Sequence, residues 1–480
     1  RGRVVLASVP AKAGAAKPTD PALRAAIARG DAADVAAYDD AVRDEPLLPA
    51  LPAPGRVTRT VVDTMLGTTT WTLSNGMRVV VKPTDFKADE VLVSAFSPGG
   101  TSLVSDADAL AAGFAPFAVT AGGAGRFDAV ALQKKLSGTT VDLTPYIAEM
   151  TEGFVGSVSP RELEPLLQLL HLYFTAPRRD SVAYAALQRN FHTSLANRDL
   201  SPAAAFNDTI AVTLAQHHPR RRPLTAARID SVPLDRALQI YRERFHDAGD
   251  FTVVFVGAVH PDSLRPFAER YLASLPSAGR VERGRDVGVH PPATRVERIV
   301  RRGVEPQSST AMVFTSDFEF TPENRLALGA MDAVLEIRLR ERLREALGAT
   351  YGVSVSAAAS KTPREEASLS VRFGSAPERA DELVQAVLAE LDSLRRGGPR
   401  AEEMAKVKET MLRERETNLR ENGYWLSRLE TTLQLGEDPR SAILGAESRV
   451  HALTADQVRD AARKWVDPSR FVRVTLVPER

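Results

Sequence analysis

The sequence predicts an α+β protein built from two homologous domains, each a largely antiparallel sheet with helices packed on one side. Three observations lead there. First, two passages recur in order. "SVSPRELEPLLQLLHLYF" parallels "FGSAPERADELVQAVLAEL", and "LDRALQIYRERFHDAGDFTVVFVG" parallels "ADQVRDAARKWVDPSRFVRVTLVP". Asp235 matches Asp456, a period of about 220 residues, far above the roughly 20–50 of solenoids. Second, apolar runs of strand length alternate with longer amphipathic stretches. Third, "WTLSNGMRVVVKP" is a hairpin signal, two strand-like runs around Asn75-Gly76.

The chain divides into residues 1–60, 61–285 and 286–480. Residues 1–60 read as the remnant of a preceding domain plus a linker: a strand over Val4–Val9, an Ala-rich helix from Asp20 to Ala28, then "DEPLLPALPAPG". Prolines at that density favour an extended, semi-rigid spacer. The segment 61–285 continues with the strand "EVLVSAFSPGG", the helix "DAVALQKKL" and the strand "EGFVGSVS". "SPRELEPLLQLLHLYF" is a helix with Pro160 near its start, and a further helix covers Val182 to Asn197. The basic loop "HHPRRRPLT" precedes the helix "LDRALQIYRERF" and the apolar strand "DFTVVFVG". The break between copies falls between Ser274 and Pro292.

In 286–480 the strand "SSTAMVFTS" leads to a helix opened by "TPEN", where Thr321 can cap and Pro322 suits the first position. "EASLSVRF" alternates as a strand. Ser375 and Glu378 are spaced as a capping box for the next helix. Two more helices, "AEEMAKVKETMLRERETNLREN" and "TADQVRDAARKW", precede the closing strand "FVRVTLV".

Composition limits the chemistry. The 480 residues carry 62 Lys plus Arg against 61 Asp plus Glu, a net charge of +1 that points to neither nucleic acid nor an anionic membrane. No apolar run approaches the ~18 residues that span a bilayer. With no cysteine, disulfides, thiolate metal sites and cysteine nucleophiles are excluded. The chain starts at Arg1 and reads as a piece of a longer precursor.

The eight histidines make neither H-E-x-x-H nor H-x-x-E-H, the helical spacings that set two imidazoles on one face around zinc. His171 reads as a satisfied histidine near a core, His217 and His218 as loop residues before Pro219, and His246 with Asp250 as turn residues. G-x-S-x-G and the P-loop are absent. "TAGGAG" reads as a turn, and "PRRRP" as a solvated loop rather than an anion site.

"LREALGATYGVSVS" holds the remaining pair, Arg344 and Tyr351. Leu335, Leu339, Leu343 and Leu347 form a buried i, i+4 stripe, with Arg344 at its edge. Gly348 suits the helix C′ position, and Tyr351, Val353 and Val355 fall on one strand face. Arg344 and Tyr351 can converge on a substrate. Alternatively, Arg344 pairs with Glu341 at i, i+3, worth a few tenths of a kcal/mol, and Tyr351 packs. Spacing alone favours the second reading.

That stretch resembles the motif near the end of the insulinase/pitrilysin zinc metallopeptidases, the inverzincins. "HHPRRRPLT", "RALQIYRERFHDAGDFTVVFVGAVHPDSL" and "ENGYWLSRL" also resemble the long bacterial zinc proteases of that family, so the resemblance runs from Trp71 to Glu479. It implies four related α+β domains in two halves around a chamber. An N-terminal half carries H-x-x-E-H, zinc and the general base. The C-terminal half supplies an Arg and a Tyr that bind the substrate backbone, roles that fall on Arg344 and Tyr351. "DADALAAGFAPFAV", Asp106 to Val119, stands where an active copy carries H-x-x-E-H and offers no imidazole. The resemblance thus implies the zinc-less C-terminal half of a metalloendopeptidase, inactive alone. It holds no cofactor itself. Its zinc lies in an N-terminal partner half, fused or separate, its substrate is a peptide, and its location is the periplasm, with the cytoplasm as the alternative. The competing reading is an inactive scaffold subunit of the same fold, although a pure scaffold has no need of both Arg344 and Tyr351.

Overall fold

The computed structural model describes residues 4–9, 14, 16–34, 45–346 and 350–479; the side chains of 344–351 lie outside the described set. Two compact units emerge, residues 1–44 and 45–480. In the first, α1 (Asp20–Ala32) starts at Thr19, whose hydroxyl accepts from the Ala22 N–H, with Pro21 in its first turn. The strand expected over Val4–Val9 does not form. Those residues are irregular and exposed, and no strand pairs with them among the described residues.

The larger unit holds two sheets. The first contains β1 (Val57–Asp63), β2 (Thr68–Leu73), β3 (Arg78–Pro83), β4 (Val91–Pro98), β5 (Asp142–Ile147), β6 (Thr151–Val158) and β7 (Thr252–Gly257), in the order β1-β2-β3-β7-β4-β6-β5. The second contains β8 (Val296–Arg301), β9 (Ser308–Asp317), β10 (Thr350–Ser360), β11 (Glu366–Ser375) and β12 (Phe471–Val477), in the order β10-β11-β9-β12-β8. Read from β8, the second order repeats β3-β7-β4-β6-β5 strand for strand. Each sheet is antiparallel except for one equivalent pair, β3 with β7 and β8 with β12. The duplication seen in the sequence is thus a duplication of topology, and the first copy adds the β1–β2 edge.

The helices of the first copy are α2 (Ala109–Gly122), α3 (Ala129–Lys135), α4 (Leu163–Thr175), α5 (Ser181–Asp199), α6 (Pro202–Leu214), α7 (Ala226–Asp230), α8 (Leu234–Phe245) and α9 (Pro261–Phe267). Those of the second are α10 (Pro322–Leu339), α11 (Ala380–Gly397), α12 (Ala401–Asn418), α13 (Asn422–Gln434), α14 (Ala446–Ala452) and α15 (Ala455–Trp465). One face of each sheet packs on helices of its own copy. Phe154, Phe174, Phe245 and Phe251 meet there at centroid distances of 4.9–5.8 Å in the first core. Leu335, Val371, Leu383 and Val458 are fully or nearly fully buried in the second.

The opposite faces are covered by exchange. Trp425 and Leu429 of α13, from the second copy, bury Val80, Phe96, Val254 and Val256 of the first sheet. Phe206 and Ile210 of α6, from the first copy, bury Ala311, Val313, Val472 and Val474 of the second. Polar contacts fix both helices. Asn422 Nδ2 donates to Glu90 (3.0 Å), the Lys82 ammonium sits 4.5 Å over the Trp425 ring, and Arg372 donates to Asn207 (3.0 Å).

The proline-rich run and the connection between the copies are both pinned. In the proline-rich run, Leu47 and Leu48 are buried in the first core and Gly55 N–H donates to Glu269 O (2.8 Å). It is therefore packed rather than a free spacer. The connection around residues 274–292 is held by a buried charge cluster. Glu152, at the start of β6, accepts from Gly100 N–H and from Arg244 (2.7 Å), and Arg244 also pairs with Glu282. Arg280 contacts Asp250 (3.3 Å) and the carbonyls of Glu243 and Arg244, while Arg285 donates to Ser102 O (2.6 Å). The capping box expected at Ser375 does not form. Strand β11 runs through Ser375, whose hydroxyl is buried against Ser308 (2.9 Å).

Burial is the main cause that pushes the Glu152 carboxyl up from 4.5 to about 7, against the opposing pull of Arg244. A folded-state value above the unfolded one means the native protein holds this proton to higher pH. The stability it contributes is complete below pH 4.5 and lost as pH rises through about 7. Thermal denaturation across that window is expected to show a declining Tm that flattens in Glu152→Gln. An unchanged slope in the variant refutes the assignment.

Candidate functional site

The Arg344–Tyr351 stretch begins where α10 ends. Thr321 caps α10 by accepting from Asn324 N–H (3.1 Å), and Pro322 opens it. Leu335, Leu339 and Leu343 are fully buried, as their spacing predicts. The helix does not continue as α. Residues Arg340–Ala346 form a π-helical segment, and Arg344 lies within it. Such wide turns shift the facing of every later residue and occur often at functional sites. Just before it, Arg338 anchors the helix. Its guanidinium makes two bonds to Glu403 (3.0 and 2.8 Å) and one to Gly398 O (2.8 Å), with Glu403 at the start of α12. The proposed partner of Arg344, Glu341, is approached by Arg400 at 3.5 Å.

Leu347, Gly348 and Ala349 lie outside the described residues, so the helix-ending role of Gly348 does too. Tyr351 is the second residue of β10, and the register with β11 slips between Thr350 and Gly352. The backbone thus carries a bulge with Tyr351 as the extra residue. Bulges redirect a side chain relative to the strand's alternation. The expectation that Tyr351 shares a face with Val353 and Val355 concerns a side chain outside the described residues. The alternation holds from Gly352 onward, with Val353, Val355, Ala357 and Ala359 against the core and Gly352, Ser354, Ser356 and Ala358 exposed. The Arg344 and Tyr351 side chains themselves lie outside the described residues.

Strand β10 is an edge. It pairs with β11 through Ser360, no second strand pairs with it among the described residues, and it has no proline along its eleven residues. The equivalent edge of the first sheet, β5, carries Pro145, which has no N–H to offer an added strand.

Helix α2 carries most of the Asp106–Val119 segment, where the resemblance places H-x-x-E-H in an active copy. Its buried residues include Ala112, Phe114, Ala115 and Pro116, none a metal donor. The nearby carboxylates are already engaged. Asp106 accepts from Arg220 (2.6 Å), and Asp108 from Arg236 through both oxygens (3.0 and 2.8 Å). These guanidinium bonds are the largest causes holding both carboxyls below the ordinary range. Arg220 also donates to Thr101 O and Val104 O, 2.7 Å each, and its side chain is 3% exposed. The "PRRRP" run is thus not a wholly solvated loop, because Arg220 is buried against Asp106, Thr101 O and Val104 O. Its signal was the arginine run itself, but its partners are more than a hundred residues away. These residues do not fit a zinc ion, and among the described residues no three His, Cys, Asp or Glu gather as metal donors. Three of the histidines make local contacts or turns. His171 Nδ1 meets Tyr271 O (3.0 Å), His218 Nδ1 accepts from Arg220 N–H (3.3 Å), and His217 sits in a left-handed turn (φ 61°).

Comparison with known proteins agrees with this architecture. Residues 231–411 match the family described as the peptidase M16 inactive domain. A zinc protease PQQL-like of Arabidopsis thaliana is 26% identical over 93% of this chain and 47% of its own length. A probable zinc protease PqqL of Escherichia coli strain K12 is 25% identical over 86% of this chain and 44% of its own. The chain spans about half the length of these curated relatives. Among solved structures, the periplasmic protease PqqL of Escherichia coli superposes with a TM-score of 0.80 at 22% identity, covering 96% of this chain and 51% of that one. A peptidase M16 inactive domain from Pseudomonas fluorescens superposes with a TM-score of 0.71 at 17% identity, covering 86% and 98%. No helix among the described residues is long and apolar enough to cross a membrane. Residues 231–411 thus match the peptidase M16 inactive domain, and the chain is homologous to the PqqL-like zinc proteases.

Proposed function

We propose that this chain is the zinc-less C-terminal half of an M16 metalloendopeptidase. It closes a chamber against an N-terminal half that supplies zinc and the general base, and it binds the peptide substrate's backbone. The observation that carries this reading is the outermost position of β10 in the second sheet. An extended peptide adds to such an edge by main-chain hydrogen bonds. Added there, it would run past the Tyr351 bulge and beside the π-helical segment of Arg344. A guanidinium and a phenol are strong donors for the oxyanion that develops when a zinc-polarised carbonyl is attacked. Donors brought in from the opposite half act only on closure, which couples enclosure to catalysis. A periplasmic location is part of the proposal, supported by the Escherichia coli relative described as a periplasmic protease.

The test is reconstitution. The purified chain is expected to hold no stoichiometric zinc by metal analysis and to leave a fluorogenic peptide uncut. Mixed with a separately expressed H-x-x-E-H half, it is expected to cleave the peptide faster than that half does alone. A stable complex with no gain in cleavage favours the scaffold reading and defeats this one.

A further inference from the structure

We propose that the open cavity lined by α10, α12, α13 and α14 binds a small organic monocarboxylate, with Arg415 as its anchor. The cavity holds about 350 Å³, within the lower range of small-ligand sites. Arg415, on α12, lines it with a side chain only 12% exposed. Its Nε and one Nη have no hydrogen-bond partner among the described residues. The nearest carboxylate oxygen, on the exposed Glu447, stands 3.8 Å from Nε, beyond hydrogen-bonding distance. A guanidinium does not lose its proton in a protein, so burial leaves a charge with idle donors. Leaving such donors unmade is costly, and a ligand that satisfies them is favoured.

The other cations of the cavity are committed differently. Arg325 contacts both oxygens of Glu437 (2.8 and 2.9 Å), while its Nε also lacks a partner. Arg449 donates to the carbonyls of Ser441 and Ala442, 3.0 Å each. Arg428 lies 5.5 Å over the Tyr424 ring. The walls decide the ligand class. Leu326 and Met411 offer apolar surface, which suits an acid with a hydrocarbon body. Glu414 and Glu437 also line the space and repel a dianion more than a monoanion. A carboxylate matches the planar guanidinium fork and carries one charge. Inorganic phosphate shares the fork chemistry but adds charge and lacks the apolar body. The site would brace α13, whose other face seals the first sheet, against α10 and α12.

The experiment is calorimetric titration of the full chain with 4-methylpentanoate and, separately, with inorganic phosphate. Saturable 4-methylpentanoate binding is expected, tighter than phosphate and accompanied by a raised Tm. Arg415→Met is expected to weaken it at least about tenfold. If Arg415→Met fails to fold, Arg415→Lys serves, since an ammonium cannot form the planar fork. Absence of saturable binding by either probe overturns the proposal, leaving water as the occupant. Undiminished affinity in the folded variant overturns the role of Arg415. Tighter phosphate binding overturns the carboxylate class.

Discussion

In complex with an H-x-x-E-H half, Arg344→Ala and Tyr351→Phe are each expected to lower kcat by about 10²–10³, with KM changed far less. The magnitude follows from removing one donor that acts on the developing oxyanion rather than on the ground-state carbonyl. An interaction made only in the transition state is lost from kcat and kcat/KM together. Tyr351→Phe is the sharper variant, because it deletes one hydroxyl and keeps the ring. A structural role for either residue would instead appear as a lowered Tm of the chain without its partner half. Turnover unchanged in both variants removes them from the site. A loss confined to KM would turn the pair into a ground-state peptide clamp.

This expectation depends on features the sequence only half discloses. The Leu335, Leu339, Leu343 spacing correctly marks a buried stripe, since that pattern depends on local periodicity. It cannot distinguish an α-helix from the π-helical segment at Arg340–Ala346, because both bury Leu343. The bulge at Tyr351 is invisible for a similar reason. It arises from the register of β10 against β11, and no residue in "TYGVSVS" signals it alone. Ser375 shows local reasoning overruled. Its capping spacing is real, but pairing with β9 carries strand β11 through it. The duplicated order of strands was legible because it repeats within the chain, whereas the contacts of Arg220 join residues far apart in sequence.

The exchange of α6 and α13 was the least legible feature and carries the second large expectation. Trp425→Ala is expected to destabilise the chain by about 3–5 kcal/mol, and Ile210→Ala by about 2–5 kcal/mol. Both side chains are buried, and both seal a sheet face belonging to the other copy. Trp425 also gives up its indole bond to Leu419 O (2.9 Å). Cutting the chain at the 285/286 boundary has a larger consequence. A fragment ending at 285 lacks α13 and leaves Val80, Phe96, Val254 and Val256 uncovered. A fragment starting at 286 lacks α6 and uncovers Ala311, Val313, Val472 and Val474. Exposed sheet faces of that kind drive association, so each fragment alone is expected to aggregate or to expose dye-binding apolar surface. Co-expressed, the two are expected to form a soluble 1:1 complex. Two fragments that each stay monomeric and melt cooperatively would show that the sheets are independent. In that case the Trp425 and Ile210 effects would have to be local. If the fragments instead depend on each other, the two copies are one cooperative unit. Any strain imposed on β10 by a bound peptide would then be shared with the first sheet through α6 and α13.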